Sequence, residues 1–340
     1  MNISTIGLDL AKKVFQVHGV DKHGQVVMRK ALKRAELAEF FATLPPCLIG
    51  MEACGTAHYW GRKLESFGHT VRLMAPRLVK PYLTGEKNDA NDAAAICEAV
   101  GRPSMRFVPL KSAEQQALLV LHRARAGLVR ARTGASNQVR GLLLEFGITL
   151  RIGRCEVAAR LPEILEDAEN GLPALARQGL AVLQAHLQDL EQRIAEIERA
   201  VTLWHRSQEA SQRLAAIPGI GVFSATALVA SAGDATVFRN GRQFAAWLGL
   251  VPKQRSSGGW IRLSGISKRG DRYLRTLLIQ GAHAVLCHRS PGADIWLDQL
   301  VQRRHKNVAA VAIANKNARL AWALLAHQRV YQNGYVTCAP

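Results

Sequence analysis

The chain has 340 residues, 48% hydrophobic and 21% charged, with only 12 prolines, which excludes a disordered or collagen-like polymer and leaves room for two or three domains with their own cores. Lysine and arginine number 45 against 26 acidic residues, a formal net charge of +19, and a protein this basic is expected to meet a polyanion. No apolar run reaches the roughly 18 residues that a membrane span needs, and the first residues lack a signal-peptide pattern, so a cytoplasmic protein is expected. The six cysteines are scattered without a CxxC pair, which argues against a zinc ribbon and against a secreted disulfide scaffold.

In chain order, the first hundred residues read as α/β. Residues 3–10 form a short apolar strand ending around Asp9, and 14–20 and 25–28 are the next two strands, turned by Asp21-Lys-His-Gly24. Residues 34–44 have helical apolar spacing. A buried strand at 47–51 delivers Glu52; a helix at 59–67, a strand at 69–74 and a helix at 88–100 follow. Three hairpin-linked strands followed by alternating helices and strands is the order of the RNase H fold.

Residues 112–146 read as one long helix opened by a capping box, Ser112 with Gln115. It carries Arg123, Arg125, Arg130, Arg132 and Arg140, expected to hold phosphates, and Gly127, Gly134 and Gly141 at seven-residue intervals. Residues 151–200 are net acidic and separate two basic blocks. Within 180–204, Leu180, Leu183, Leu187, Leu190, Ile194, Ile197, Val201 and Trp204 step alternately by three and four, a heptad seam. It predicts a homo-oligomeric coiled coil, with an intramolecular hairpin against 112–146 as the alternative.

Ile217-Pro-Gly-Ile-Gly221 followed by an apolar helix has the look of a helix-hairpin-helix turn, whose Gly219 and Gly221 would offer backbone amides to a phosphate. Residues 252–270 have the composition of a mobile polar loop, and its Lys253, Arg255, Arg262, Lys268 and Arg269, with Arg272 beyond, are further candidate nucleic-acid contacts. Trp260 reads equally as a base-stacking residue or as core, and Ser267 as the cap of a basic helix starting near Asp271. Residues 292–328 are helical and basic, and 331–340 a loose tail.

The chemistry is concentrated in four acids. Asp9 and Glu52 end adjacent strands in an RNase H topology, and Asp89 and Asp92, three apart on a helix, share a face. Four such carboxylates repel one another unless a hard divalent cation, Mg²⁺ or Mn²⁺, is held between them. Two such ions would stabilise the attacking and leaving oxygens of phosphoryl transfer.

At these residues the sequence resembles the DEDD transposases of the insertion sequence one-ten family. The likeness rests on Gly7-Leu-Asp-Leu-Ala-Lys12, Lys87-Asn-Asp-Ala-Asn-Asp-Ala93, Asn137-Gln138 with Gly141, Ile217-Pro-Gly-Ile-Gly221 and Phe244-Ala-Ala-Trp-Leu-Gly-Leu-Val-Pro252. The stretch Glu52-Ala-Cys-Gly-Thr-Ala-His-Tyr-Trp60 is similar to the eleven-eleven subgroup. The resemblance implies a RuvC-like DEDD domain at 1–108, a long basic helix and coiled-coil region at 109–210, and a mostly α C-terminal transposase domain at 211–330. It implies Asp9, Glu52, Asp89 and Asp92 as the acidic tetrad and Ser257, followed by Gly258, as a catalytic serine; Ser256 stands beside it as the alternative.

It further implies a bacterial, nucleoid-associated recombinase acting on donor and target DNA. A bridge RNA would guide it, and a dimer or tetramer would complete one subunit's site with another's serine. A RuvC-like junction nuclease using water, and a non-catalytic nucleic-acid-binding protein, are the competing readings.

Overall fold

In the computed structural model, which describes residues 3–86, 88–290, 292 and 294–332, the chain divides into two units. One comprises residues 1–116 with 230–239, the other 117–229 with 240–340. Lys87 of the acidic motif and positions 333–340 of the expected loose tail, with Cys338, lie outside the described residues.

The first unit is a six-stranded sheet. Strands β1 (Thr5–Asp9), β2 (Val14–Val20) and β3 (Val26–Lys33) form an antiparallel meander. Asp21 fixes the turn from β2 to β3 by accepting from the His23 and Gln25 amides, as its sequence predicts. Helix α1 (Leu37–Ala42) leads to β4 (Leu48–Glu52), which pairs parallel with β1; α2 (Ala57–Glu65) leads to β5 (Thr70–Met74), parallel with β4. A short α3 (Pro76–Val79) precedes α4 (Asp89–Val100), and β6 (Phe107–Val108) closes the edge in the order β3-β2-β1-β4-β5-β6. The three-strand meander followed by parallel β4 and β5 is the expected RNase H-type order.

Alternation sets the layers. Ile6, Leu8, Ile49 and Met51 point to one face, where Phe15, Phe41, Trp60 and Leu64 complete a core beneath α1 and α2. The opposite face receives α4, whose Ile96, Ala99 and Val100 are buried with Met74 and Val79.

The second unit is mostly helical. Helix α5 (Ala113–Leu144) begins with the expected box: the Gln115 amide donates to Ser112 Oγ (3.0 Å) and the Ser112 amide to Gln115 Oε1 (2.9 Å). α6 (Arg154–Glu166) and α7 (Ala174–Ser207) follow. The seam of α7 is used within the chain: Leu180, Leu183 and Leu187 pack with Val139 and Leu143 of α5 and Val157, Leu161 and Ile164 of α6. Arg125 meets Glu198 at 2.6 Å and Arg132 meets Glu191 at 3.3 Å, so α5 and α7 run antiparallel. This is the intramolecular hairpin; burial of the seam there needs no second copy.

Next come α8 (Glu209–Ala215), α9 (Val222–Ala232) and α10 (Gly241–Trp247). Residues 252–270, expected as a loop, instead contain a hairpin of β7 (Pro252–Ser257) and β8 (Trp260–Ile266). Gly258 and Gly259 both have positive φ, 55° and 83°, the turn that matches the twist of a two-residue hairpin. α11 (Arg272–Cys287), α12 (Ile295–Arg303) and α13 (Lys306–Ala326) complete the unit. The cap of α11 is Asp271, whose carboxylate accepts from the Tyr273 and Leu274 amides, and not Ser267. Among the described residues no helix is long and apolar enough to cross a membrane.

Candidate functional site

Asp9 leaves the end of β1, and Gly7, two residues earlier, faces α4 so closely that a Cβ there would meet the Ala93 carbonyl oxygen at 2.1 Å. Gly50 on β4 pairs with Gly7, and its own Cβ would meet Val100 at 2.7 Å. Two hydrogens in place of side chains let α4 settle against the sheet. Because side chains alternate, Asp9 and Glu52, each two residues beyond a paired glycine, also face the α4 side.

Helix α4 supplies the other acids in its first turn. Asn88 caps it, accepting from the Asn91 amide at 2.8 Å, and Asn91 Nδ2 donates to the Glu86 carbonyl at 2.7 Å, fixing the loop before it. One carboxylate oxygen from each of Asp9, Asp89 and Asp92 lies within 4.8 Å of the others. Glu52 is on the adjacent strand end and the same face but stands outside that three-residue cluster. Glu52 and Asp9 share a neighbour in Cys54, whose thiol is raised by burial, then by Glu52, then by Asp9.

Among the described residues no lysine or arginine lies within ion-pair distance of the three aspartates. Burial, with the charges of Asp92 and Asp89 beside it, pushes Asp9 up to about 6. An all-oxygen carboxylate set whose members raise one another's cost of ionising fits a hard divalent cation. Asp9, Asp89 and Asp92 would hold it directly, with Glu52 at the edge.

The other candidates sort by what their side chains already touch. Arg125 and Arg132 lie on the face of α5 turned to α7, where they pair with Glu198 and Glu191. Arg123 and Arg130 sit half a helical turn away, exposed, on one face with Gly127, Gly134 and Gly141, around which nothing lies within 4 Å. Arg140 hydrogen-bonds Asn137 in its own helix. Gly219 is packed against α11, where a Cβ would meet the Gly281 carbonyl oxygen at 2.9 Å, so its role here is close helix approach; Gly221 is exposed at the start of α9.

Lys253, Arg255, Arg262, Lys268, Arg269 and Arg272 are all exposed. Register places Ser257 opposite Trp260 and Arg255 opposite Arg262, on one face of the hairpin. Ser256 opposes Ile261 on the other face and accepts from Gln254 Nε2 at 2.9 Å. Trp260 is exposed, not core. The hairpin's signal, two glycines between Lys253-x-Arg255-x-Ser257 and Trp260-x-Arg262, was present in the sequence.

Two families match the chain: residues 6–148 match the DEDD transposase family of IS110 elements, described as "Transposase", and residues 211–296 the "Transposase IS116/IS110/IS902 family". A "Probable family 20 transposase" of Pseudomonas aeruginosa is 58% identical, covering 98% of this chain and 100% of its own. The chain belongs to the IS110/IS116/IS902 family of transposases. Its members include the transposase for insertion sequence element IS1328 of Yersinia enterocolitica, 43% identical over 97% of this chain and 99% of its own. The transposase for IS1111A of Coxiella burnetii is 42% identical over 98% of this chain and 92% of its own. The IS110 DEDD match runs from β1 through the end of α5 and so contains the whole acidic cluster of this transposase; the second match contains the β7–β8 hairpin.

Proposed function

We propose that this transposase cleaves and rejoins DNA strands of an insertion sequence with two groups of its own side chains. Asp9, Asp89 and Asp92, with Glu52, hold divalent metal, and Ser257 is the nucleophile. The observation that carries the reading is the convergence of Asp9, Asp89 and Asp92 on one face of the sheet, with no basic counter-charge among the described residues. Bound Mg²⁺ or Mn²⁺ would supply charge neutralisation at the scissile phosphate.

The chain's residues do the rest. Asp9 is fixed by β1, while Asp89 and Asp92 are fixed by a capped helix, so the ligand oxygens are pre-positioned. Ser257 Oγ attacks phosphorus and gives up its proton; the bond to the leaving deoxyribose oxygen breaks, and that oxygen takes a proton. The resulting phosphoserine ester retains the energy of the phosphodiester, so a second deoxyribose hydroxyl can reverse the step on another strand. Exposed Arg123, Arg130, Lys253, Arg255 and Arg262 would hold phosphates. The family resemblance supports guidance by an element-encoded bridge RNA and a homo-oligomer, dimer or tetramer. Exposed Leu175, Val182 and Leu203 on α7 are the apolar positions open to a second copy.

The decisive experiment is capture of a covalent protein–DNA adduct on an element-end substrate with divalent metal and copurified RNA. Ser257→Ala and Asp9→Asn abolish it, and Ser256→Ala leaves it. Strand cleavage that persists in Ser257→Ala without an adduct would establish instead a water-using nuclease, which the carboxylate cluster alone also supports. No cleavage with any divalent metal would leave the non-catalytic binding protein.

A further inference from the structure

Between residues 252 and 266 there is no acidic side chain, yet Arg255 stands directly across the ladder from Arg262. Like charges on a cross-strand pair repel. Among the described residues neither arginine has an ion-pair partner. Next along the same face comes the pair Ser257 and Trp260. The Trp260 side chain is 84% exposed, and among the described residues no ring or cation packs on it. A repelling guanidinium pair and a bare indole are both costly in water. One ligand relieves both: a strand that alternates phosphates with flat apolar rings. An acidic peptide without an aromatic side chain would relieve only the first. In a duplex the base faces are already stacked, so a ring available to Trp260 belongs to an unpaired strand.

We propose that the Arg255–Arg262–Trp260 face of the hairpin binds an unpaired DNA strand. One backbone phosphate lies between the two guanidinium groups and a base stacks on Trp260, which brings the neighbouring phosphate to Ser257. The inference rests on the reading above that the chain acts on DNA, and it adds that the strand must be open at the point of attack. The opposite face, Gln254, Ser256, Ile261 and Leu263, takes no part.

The test is fluorescence anisotropy of the full-length chain with a labelled oligonucleotide as single-stranded DNA, as duplex DNA and as RNA of the same sequence, each over a salt series. Trp260→Ala weakens single-stranded DNA binding roughly tenfold or more and duplex binding less than about twofold, and Trp260→Phe keeps most of the affinity. Arg255→Ala and Arg262→Ala each flatten the single-strand salt slope by about 0.7. Ile261→Ser, on the other face, behaves as wild type, and matching thermal melts show that the variants are folded. Unchanged single-strand binding in Trp260→Ala, equal loss on duplex, loss confined to RNA, or an equal effect of Ile261→Ser overturns the proposal. Should Trp260→Ala bind normally while Ser257→Ala still loses the covalent adduct, the hairpin inference fails and the recombinase reading stands. If Trp260→Ala weakens binding but the wild type forms no adduct, the failure is the reverse.

Discussion

Gly7 and Ala93 touch across the sheet–helix interface: a Cβ on Gly7 would lie 2.1 Å from the Ala93 carbonyl oxygen and 2.4 Å from the Cys97 amide nitrogen. Those two atoms are backbone and the third, Cys97 Cβ at 2.8 Å, is fixed to it, so no rotamer change relieves them, and the whole of α4 must move. That helix carries Asp89 and Asp92 to Asp9. Gly7→Ala is therefore expected to lower stability by about 3 kcal/mol or more, the upper range for overpacking. It also separates the carboxylates. The check is a thermal melt with and without Mn²⁺: the variant melts lower and loses the metal-induced rise that the wild type shows.

Asp9 predicts a second, opposite-looking result. Its carboxyl is raised to about 6 by burial and by the charges of Asp92 and Asp89. Between about pH 4 and pH 6 the folded, metal-free chain keeps a proton that the unfolded chain has released. This group's contribution is thus present below pH 4 and lost as pH rises through 6. At pH 7.5 without metal, Asp9→Asn should melt higher than wild type, by about 1 kcal/mol once solvent screening of a half-exposed group is allowed for. Adding Mg²⁺ or Mn²⁺ reverses the ranking, because only the wild type gains. A variant that melts lower without metal would remove the repulsion argument.

The arginines of α5 separate into two experiments. Arg125→Ala and Arg132→Ala remove pairs with Glu198 and Glu191 and should each cost about 1 kcal/mol or less of stability, with the salt dependence of DNA binding unchanged. Arg123→Ala and Arg130→Ala, from the open glycine-lined face, should leave the melt unchanged and flatten the salt slope on duplex by about 0.9 each. Equal slopes for all four would show that the ion pairs open on binding.

The difference between those two pairs of arginines marks where the sequence stopped being readable. Five arginines on one helix announce a polyanion, but which of them face α7 depends on α7 folding back, and the heptad seam serves an internal partner as well as an external one. Strands β1, β2, β4 and β5 were legible because each is a short apolar run closed by a polar turn, and Asp9 and Glu52 stand out as acids at the ends of such runs. The role of Gly7 and Gly50 was not, since close approach is a property of two elements and the sequence displays one at a time. The hairpin at 252–266 was missed because all but its last residue are exposed, so no buried face imposes the apolar alternation by which strands are recognised.

His122 carries the last prediction. It is 1% exposed on α5, with Nδ1 3.0 Å from the Tyr273 hydroxyl and Nε2 3.1 Å from Thr226 Oγ1. Thr226 spends its own proton on the Val222 carbonyl at 2.7 Å, so it accepts from His122, which must carry its hydrogen on Nε2 and receive the Tyr273 proton on Nδ1. The ring is thus neutral and doubly used. Burial, then the nearby Arg125 charge, lowers it to about 4. As pH falls from about 6.5 to about 4 the unfolded chain takes up a proton that the folded chain refuses, so stability is lost over that window. The sign is opposite to that of Asp9, and a variant comparison isolates it. His122→Phe should cost about 1–3 kcal/mol at pH 7 by stranding Thr226 and Tyr273. It should also show a smaller drop in melting temperature than wild type between pH 7 and pH 5. An identical drop in both proteins would mean that the imidazole is not held neutral by this network.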